Sequence, residues 1–547
     1  RTNKKSKESE KRNMKKLVSR FMAVLMAMTM ILSMSMTAFA AEAPKGTLTV
    51  NNTVAGKTLD LYQIFTATKN GDNVAYTLNS AYEGFFKNNT RIPGSESLTG
   101  EALSEKAYEY VKTQVGTDGK SGTGFAKEIL GWILENATTV ATTHTTATTT
   151  AGSTVISGLE YGYYVVYPLG ATDTSAAPGE QDYTSVASLV SVTGDTSINM
   201  KSNYPTVVKK VNDKNADDVN IGDTVTYTLT SKVPDMTGYT SYVFNFKDTL
   251  SAGLTFKEIT SVKVGETTIT KVDAGQEADN TYTLTQDGQN ITITMNNFLA
   301  SNKDNTGKEI KVTYTATLNK DAVTGFDANK NSATVEYSNK PGTDNKGESE
   351  PSIVDVHTFN FTIFKYYLNG ADKTGLAKAE FELYKANGEV AGDKVNIKKV
   401  TDGEYRVATP EEATAESFKS DVIVSGNNGK VLVKGLDAGT YYLRETKAPE
   451  GYNKLLSDIK VEIKANYDPK TGKLTSYSVD YTYNGTTTTG TEIKDTTTSP
   501  EVPVENKTGA QLPSTGSKGA LMVTLAGIVL FGVLTASKAF GKKKAKN

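Results

Sequence analysis

The strongest constraint in this 547-residue sequence is a period of two that recurs from residue 204 to about residue 497. Val225, Tyr227 and Leu229 alternate with threonines, as do Ile291, Ile293 and Met295, and then Val312, Tyr314 and Ala316. Phe361-Ile363, Phe381-Leu383, Val431-Val433, Tyr441-Leu443 and Val461-Ile463 repeat the pattern downstream. Successive side chains of a strand point to opposite faces, so each row buries one face and solvates the other. Many short strands separated by Gly, Asn and Asp turns predict β-sandwiches. Residues 41–203 are more mixed. Leu48-Thr49-Val50, the run 59–65 and the run 161–166 read as strands, whereas 101–116 and 124–136 have helical spacing. The Thr/Ala-rich stretch 138–154 reads as an exposed loop. The expected fold is mainly β, a tandem of Ig-like β-sandwich domains, the first with helical insertions.

Charged and amide side chains interrupt these rows on their apolar side. Lys209 shares parity with Val207 and Val211, and Lys365 with Phe361 and Ile363. Asp248 follows Phe244 and Phe246, Glu445 follows Tyr441 and Leu443, and Asp495 follows Ile493. Asn331 precedes Ala333, Val335 and Tyr337 in the same way. A lone buried charge is costly, so these groups have to be paired or neutralised. Ordinary salt bridges at strand ends would do the same for any one of them. Segments 204–355 and 356–497 nevertheless carry the same set: a lysine on the first strand, an acid in the middle, an amide or acid at the end. One step of register would exchange Lys209 for Lys210.

Composition narrows the chemistry. With 60 Lys+Arg against 61 Asp+Glu the net charge is -1, and no basic stripe marks a nucleic-acid surface. The absence of cysteine excludes thiolate catalysis, disulfides and thiolate-held metals. Of the two histidines, His144 lies in the Thr-rich stretch and His357 at a segment boundary, and nothing marks either as catalytic. Gly56-Lys57-Thr58 lacks the upstream glycine of a phosphate loop, and Asp213-x-Asn215-x-Asp217 lacks the glycine that a calcium loop needs. No cofactor and no metal are expected.

The two ends read as targeting signals. Arg12, Lys15, Lys16 and Arg20 precede an apolar run at 21–36, and Ala38-Phe39-Ala40 offers a cleavage site. Residues 1–40 are therefore expected to be a secretory signal peptide, with Met14 as its start. At the other end, 520–536 is apolar and Lys538, Lys542, Lys543, Lys544 and Lys546 follow, as in a membrane-spanning segment with a basic tail over 520–547. Between them, 498–519 is rich in Thr, Pro and Gly and reads as a linker. It contains Leu512-Pro513-Ser514-Thr515-Gly516, which resembles the LPxTG cell-wall sorting signal of Gram-positive surface proteins. The resemblance implies that a sortase cuts between Thr515 and Gly516 and passes the Thr515 carbonyl to an amine.

The segment 442–452, Tyr-Leu-Arg-Glu-Thr-Lys-Ala-Pro-Glu-Gly-Tyr, looks like the pilin E-box, and 248–256 and Asn331-Ser332-Ala333 resemble matching elements of a CnaA-like domain. With the two signals, the chain resembles a SpaA-type backbone pilin of sortase-assembled Gram-positive pili. The resemblance implies an N-terminal pilin domain at 41–203, a CnaA-like domain at 204–355 and a CnaB-like domain at 356–497. It further implies intramolecular isopeptide bonds: Lys209 as nucleophile, Asn331 as electrophile and Asp248 as catalyst, then Lys365, Asp495 and Glu445 in the same roles. Here the chain departs from the family, with Asp495 where an asparagine is usual, so that bond would release water rather than ammonia. An apolar core suits the reaction, because it disfavours the charged forms of lysine and acid alike. Family members carry a pilin-linkage lysine near a Tyr-Pro-Lys motif. This chain has Tyr204-Pro205-Thr206, and Lys201 is the first choice. The implied partners are sortase, neighbouring copies of the chain, minor pilins, peptidoglycan and a host surface ligand. A monomeric cell-wall-anchored adhesin, which needs no acceptor lysine, is the alternative. No enzyme activity beyond self-catalysed crosslinking is expected.

Overall fold

A computed structural model describes residues 44–116, 122–172, 186–200 and 204–509 of the chain. The predicted signal peptide, the sorting pentapeptide 512–516, the apolar run 520–536 and Lys201 lie outside the described residues. Among the described residues, no helix is long and apolar enough to cross a membrane.

The first domain is a three-layer stack. A five-stranded sheet contains Thr58–Asn70 and Gly162–Pro168 at its centre and sits between a three-stranded sheet and two helices. This explains why Gly162–Pro168 is buried throughout: Tyr163, Val165 and Tyr167 face the helices, while Tyr164 and Val166 face the small sheet. The helices Gly100–Val115 and Gly122–Glu135 bury Leu103, Ala107 and Val111, and Phe125, Ile129 and Ile133, each a run spaced by four. The Thr-rich stretch read as a loop instead contributes the strand His144–Thr148 and the start of Gly152–Glu160. Threonine is β-branched and suits a half-exposed strand, so pairing to Thr58–Asn70 outweighs the low complexity.

The middle domain packs an eight-stranded sheet on a five-stranded one. Val208–Val211 is the edge strand of the smaller sheet, next to Thr224–Lys232 and then Glu309–Leu318. Phe244–Leu250 and Asn329–Ser338 pair antiparallel in the larger sheet.

The third domain packs a six-stranded sheet on a seven-stranded one. Its first strand, Phe359–Asn369, pairs in parallel with Glu501–Glu505, so the domain extends past the expected boundary at 497 into what composition marks as linker. Pro503 lies within that strand, where proline is tolerated because, among the described residues, this strand has a ladder partner on one side only.

The two C-terminal domains share one continuous apolar core. The backbone N–H of Ile221 donates to Gly435 O at 3.0 Å, and Asp218 accepts from Ala438 N and from Tyr467 Oη, both at 2.7 Å. Gly435 has φ +89, and a Cβ there would lie 2.6 Å from Ile221 Cδ1, so the close approach of the domains needs glycine.

Candidate functional site

In the middle domain the alternation places Lys209 inward from its edge strand, opposite Leu229. Asp248 and Asn331 sit on adjacent strands of the facing sheet, where Asp248 pairs with Ala333 and Leu250 with Asn331. The two groups are thus diagonal neighbours on the inner face. All three side chains are buried, Lys209 at 1%, Asp248 at 2% and Asn331 at 0% exposure. Lys209 Nζ forms a short contact with Asp248 Oδ2, and it also donates to Tyr314 Oη at 2.8 Å. Tyr314 Oη donates to Asp248 Oδ2 at 2.8 Å and accepts from Asn331 Nδ2 at 2.7 Å. Among the described residues, Asp248 Oδ1 and Asn331 Oδ1 have no hydrogen-bond partner. Lys210 points the other way, its Nζ donating to Asn215 at 2.6 Å, so register favours Lys209.

Burial governs the charges. It pulls the Lys209 ammonium down from 10.5 to about 8, against the opposing pull of Asp248. A lysine in that position has a neutral, nucleophilic form within reach of ordinary pH. Burial and the neighbouring Asp248 carboxylate push the Tyr314 phenol well above its usual value, so it stays a proton donor.

The third domain repeats the set with one change. Lys365, on Phe359–Asn369, and Glu445, on Gly439–Lys447, are at 0% and 2% exposure, with Nζ and Oε1 2.9 Å apart. The contact lies outside hydrogen-bond geometry, and the lysine is again held below its ordinary value, by burial outweighing Glu445. Asp495 is not there. Its carboxylate is exposed and accepts from Thr497 N at 2.9 Å and Thr497 Oγ1 at 2.7 Å, which hold it below the usual carboxylate range. After Ile493 the chain leaves the sheet, and the parity of Ile493 no longer governs where Asp495 points. The amide at this position is Asn506, 1% exposed, whose Nδ2 donates to Glu445 Oε2 at 3.1 Å. Glu445 Oε2 also accepts from Leu455 N at 2.8 Å, and Asn506 Nδ2 donates to Asn453 O at 2.9 Å. The loop after the E-box therefore clasps the end of the last strand. Asn506 closes the row Val502-x-Val504-x-Asn506, a period-two signal hidden by the surrounding Thr and Pro.

Tandem β-sandwiches, each burying a lysine, an acid and an asparagine, match known domain models. Residues 221–341 match the Gram-positive pilin backbone subunit 2, Cna-B-like domain, and 366–477 match the SpaA prealbumin-like fold domain. The middle segment, expected to be CnaA-like, thus matches a model described as Cna-B-like. Two segments of the chain are thus similar to domains of Gram-positive backbone pilins. The chain is 25% identical over 324 residues to the trypsin-resistant surface T6 protein of Streptococcus pyogenes serotype M6, covering 53% of this chain and 51% of that one. It is 29% identical over 271 residues to the fimbrial subunit type 2 of Actinomyces naeslundii, covering 45% and 48%. The chain spans about half the length of these curated relatives. The solved T6 backbone pilin of serotype M6 Streptococcus pyogenes is 17% identical, with 86% of this chain and 100% of that one covered and a TM-score of 0.45.

Proposed function

We propose that this chain is a structural subunit of a covalently polymerised cell-surface pilus, stiffened by two intramolecular isopeptide bonds. The observation that carries the proposal is the buried lysine–acid–asparagine set, built twice on different strands: Lys209, Asp248 and Asn331, then Lys365, Glu445 and Asn506. Each lysine attacks the amide carbon of its asparagine, the new C–N bond replaces the old one, and ammonia leaves. The acid takes a proton from the ammonium and returns one to the departing nitrogen. The result ties the first strand of each domain to one near its end, Asn329–Ser338 in the middle domain and the end of Glu501–Glu505 in the third.

In this reading a sortase joins Thr515 to Lys201 of the next copy, minor pilins decorate the shaft, and the last subunit joins peptidoglycan. Intact mass spectrometry of the secreted chain is expected to show a deficit of two ammonia molecules, and a mass equal to the unreacted sequence would refute both bonds. In the native host, boiled wall extracts are expected to give a high-mass ladder that Lys201→Ala abolishes. One monomeric band from the unsubstituted chain would instead support a wall-anchored adhesin.

A further inference from the structure

The two crosslinking sets differ in how the acid reaches the amide. In the third domain Glu445 Oε2 touches Asn506 Nδ2 directly, at 3.1 Å. In the middle domain the acid is aspartate, one methylene shorter, and its hydrogen bonds go to Lys209 and Tyr314 rather than to Asn331. The Tyr314 hydroxyl occupies the interval. One buried oxygen touches the nucleophilic nitrogen at 2.8 Å, the leaving nitrogen at 2.7 Å and the acid at 2.8 Å. Beside Lys365 lies the ring of Phe381, on the strand next to Glu445 with its centroid 5.8 Å from Nζ, and it has no hydroxyl to offer.

We propose that Tyr314 is a catalytic residue of the middle domain, relaying the proton that the leaving ammonia requires. The proposal rests on the isopeptide reading above. Lys209 first gives a proton to Asp248. Its free amine then attacks Cγ of Asn331, and the carbonyl π pair moves to Oδ1. The phenol passes its proton to Nδ2 as Asp248 reprotonates the phenol oxygen. The carbonyl reforms, the Cγ–Nδ2 bond breaks and ammonia departs. The new amide nitrogen sheds its extra proton to Asp248, which ends protonated. Aspartate plus tyrosine here does the work that glutamate does alone in the third domain.

The test is timed cell-free synthesis of the full chain, followed by intact mass and by peptide mapping of each crosslink. Tyr314→Phe removes one oxygen and keeps the ring. It is expected to slow ammonia loss in the middle domain by about 100-fold or more, the usual contribution of a positioned general acid. The Lys365–Asn506 bond of the same molecules is expected to form on schedule, which reports that the chain folds. A second variant, Asp248→Glu with Tyr314→Phe, gives the middle domain the longer acid that the third domain uses and is expected to restore closure. Closure at full rate in Tyr314→Phe overturns the relay and leaves the crosslink standing. A double variant that stays open also overturns the relay, because a longer acid should replace it. If the unsubstituted chain keeps its middle-domain ammonia, the crosslink reading fails and takes the relay with it.

Discussion

Lys209 and Lys365 lie where water does not reach them, and their protonation is coupled to stability for as long as they are unjoined. For Lys209 the folded value of about 8 lies below the ordinary 10.5. Between those values the native state binds fewer protons than the unfolded one, so stability rises with pH across that window. Below it both states are charged, and the full cost of a buried ammonium remains. An Asn331→Ala chain has no amide to attack. Its melting temperature is expected to climb from about pH 8 to about pH 10, and adding Lys209→Met is expected to flatten that slope. A flat profile in Asn331→Ala alone would contradict the picture. The third domain makes a sharper residue-level prediction. Asp495→Ala should leave its mass deficit intact, since that carboxylate is exposed, whereas Asn506→Ala and Glu445→Gln should each retain the ammonia of that domain. Peptide mapping of the three variants reads all of this at once.

At the level of strands, Glu501–Glu505 matters more than its five residues suggest. It pairs Lys365 with Val504, buries Val502 at 0% and Val504 at 2% exposure, and delivers Asn506 to Glu445. Two fully buried valines are worth roughly 3–6 kcal/mol together. A chain ending at residue 497 is expected to lose about that much in the third domain and to become protease-sensitive there, while one ending at 509 keeps the native fold. Urea denaturation of the two chains distinguishes them, and equal midpoints would mean that the strand is dispensable. The first strand alone therefore does not define this domain; its pairing with the last one does.

The middle and third domains are not independent beads, because they share a core and a polar seam. His357 lies in that seam, 3% exposed, with neither ring nitrogen hydrogen-bonded among the described residues, stacked 6.4 Å from Phe359 and edge-on to Tyr467 at 6.3 Å. Burial holds the imidazole below its usual 6.5, against the pull of Asp355, Asp218 and Asp327. The unfolded chain therefore takes up a proton there before the folded chain does. The stability that His357 contributes is complete above about pH 6.5 and is lost as the pH falls through the lower folded value. Calorimetry of the crosslink-free chain is expected to show the two C-terminal domains losing stability on acidification, with His357→Phe reducing the loss. A variant as acid-sensitive as the parent would place the sensitivity elsewhere.

Much of this architecture was readable in the order of residues, because period-two alternation acts locally and needs no partner to be visible. Lys209, Asp248, Asn331, Lys365 and Glu445 all interrupt apolar rows, and all five are buried where parity put them. The helices of the first domain showed themselves in the same way, through spacing. What alternation could not reveal is which strands meet. Asn506 belongs to a row of only three positions inside a Thr- and Pro-rich stretch, and it becomes part of a site only when Glu501–Glu505 pairs with a strand far upstream. Asp495 has the right parity but lies past the point where the chain leaves the sheet. Tyr314 looked like one more core aromatic, since parity says that a ring points inward and nothing about what its hydroxyl touches. Facing identity is a property of one strand and is written along it. Contact between groups depends on long-range pairing and on the packing of two sheets, and no local pattern encodes that.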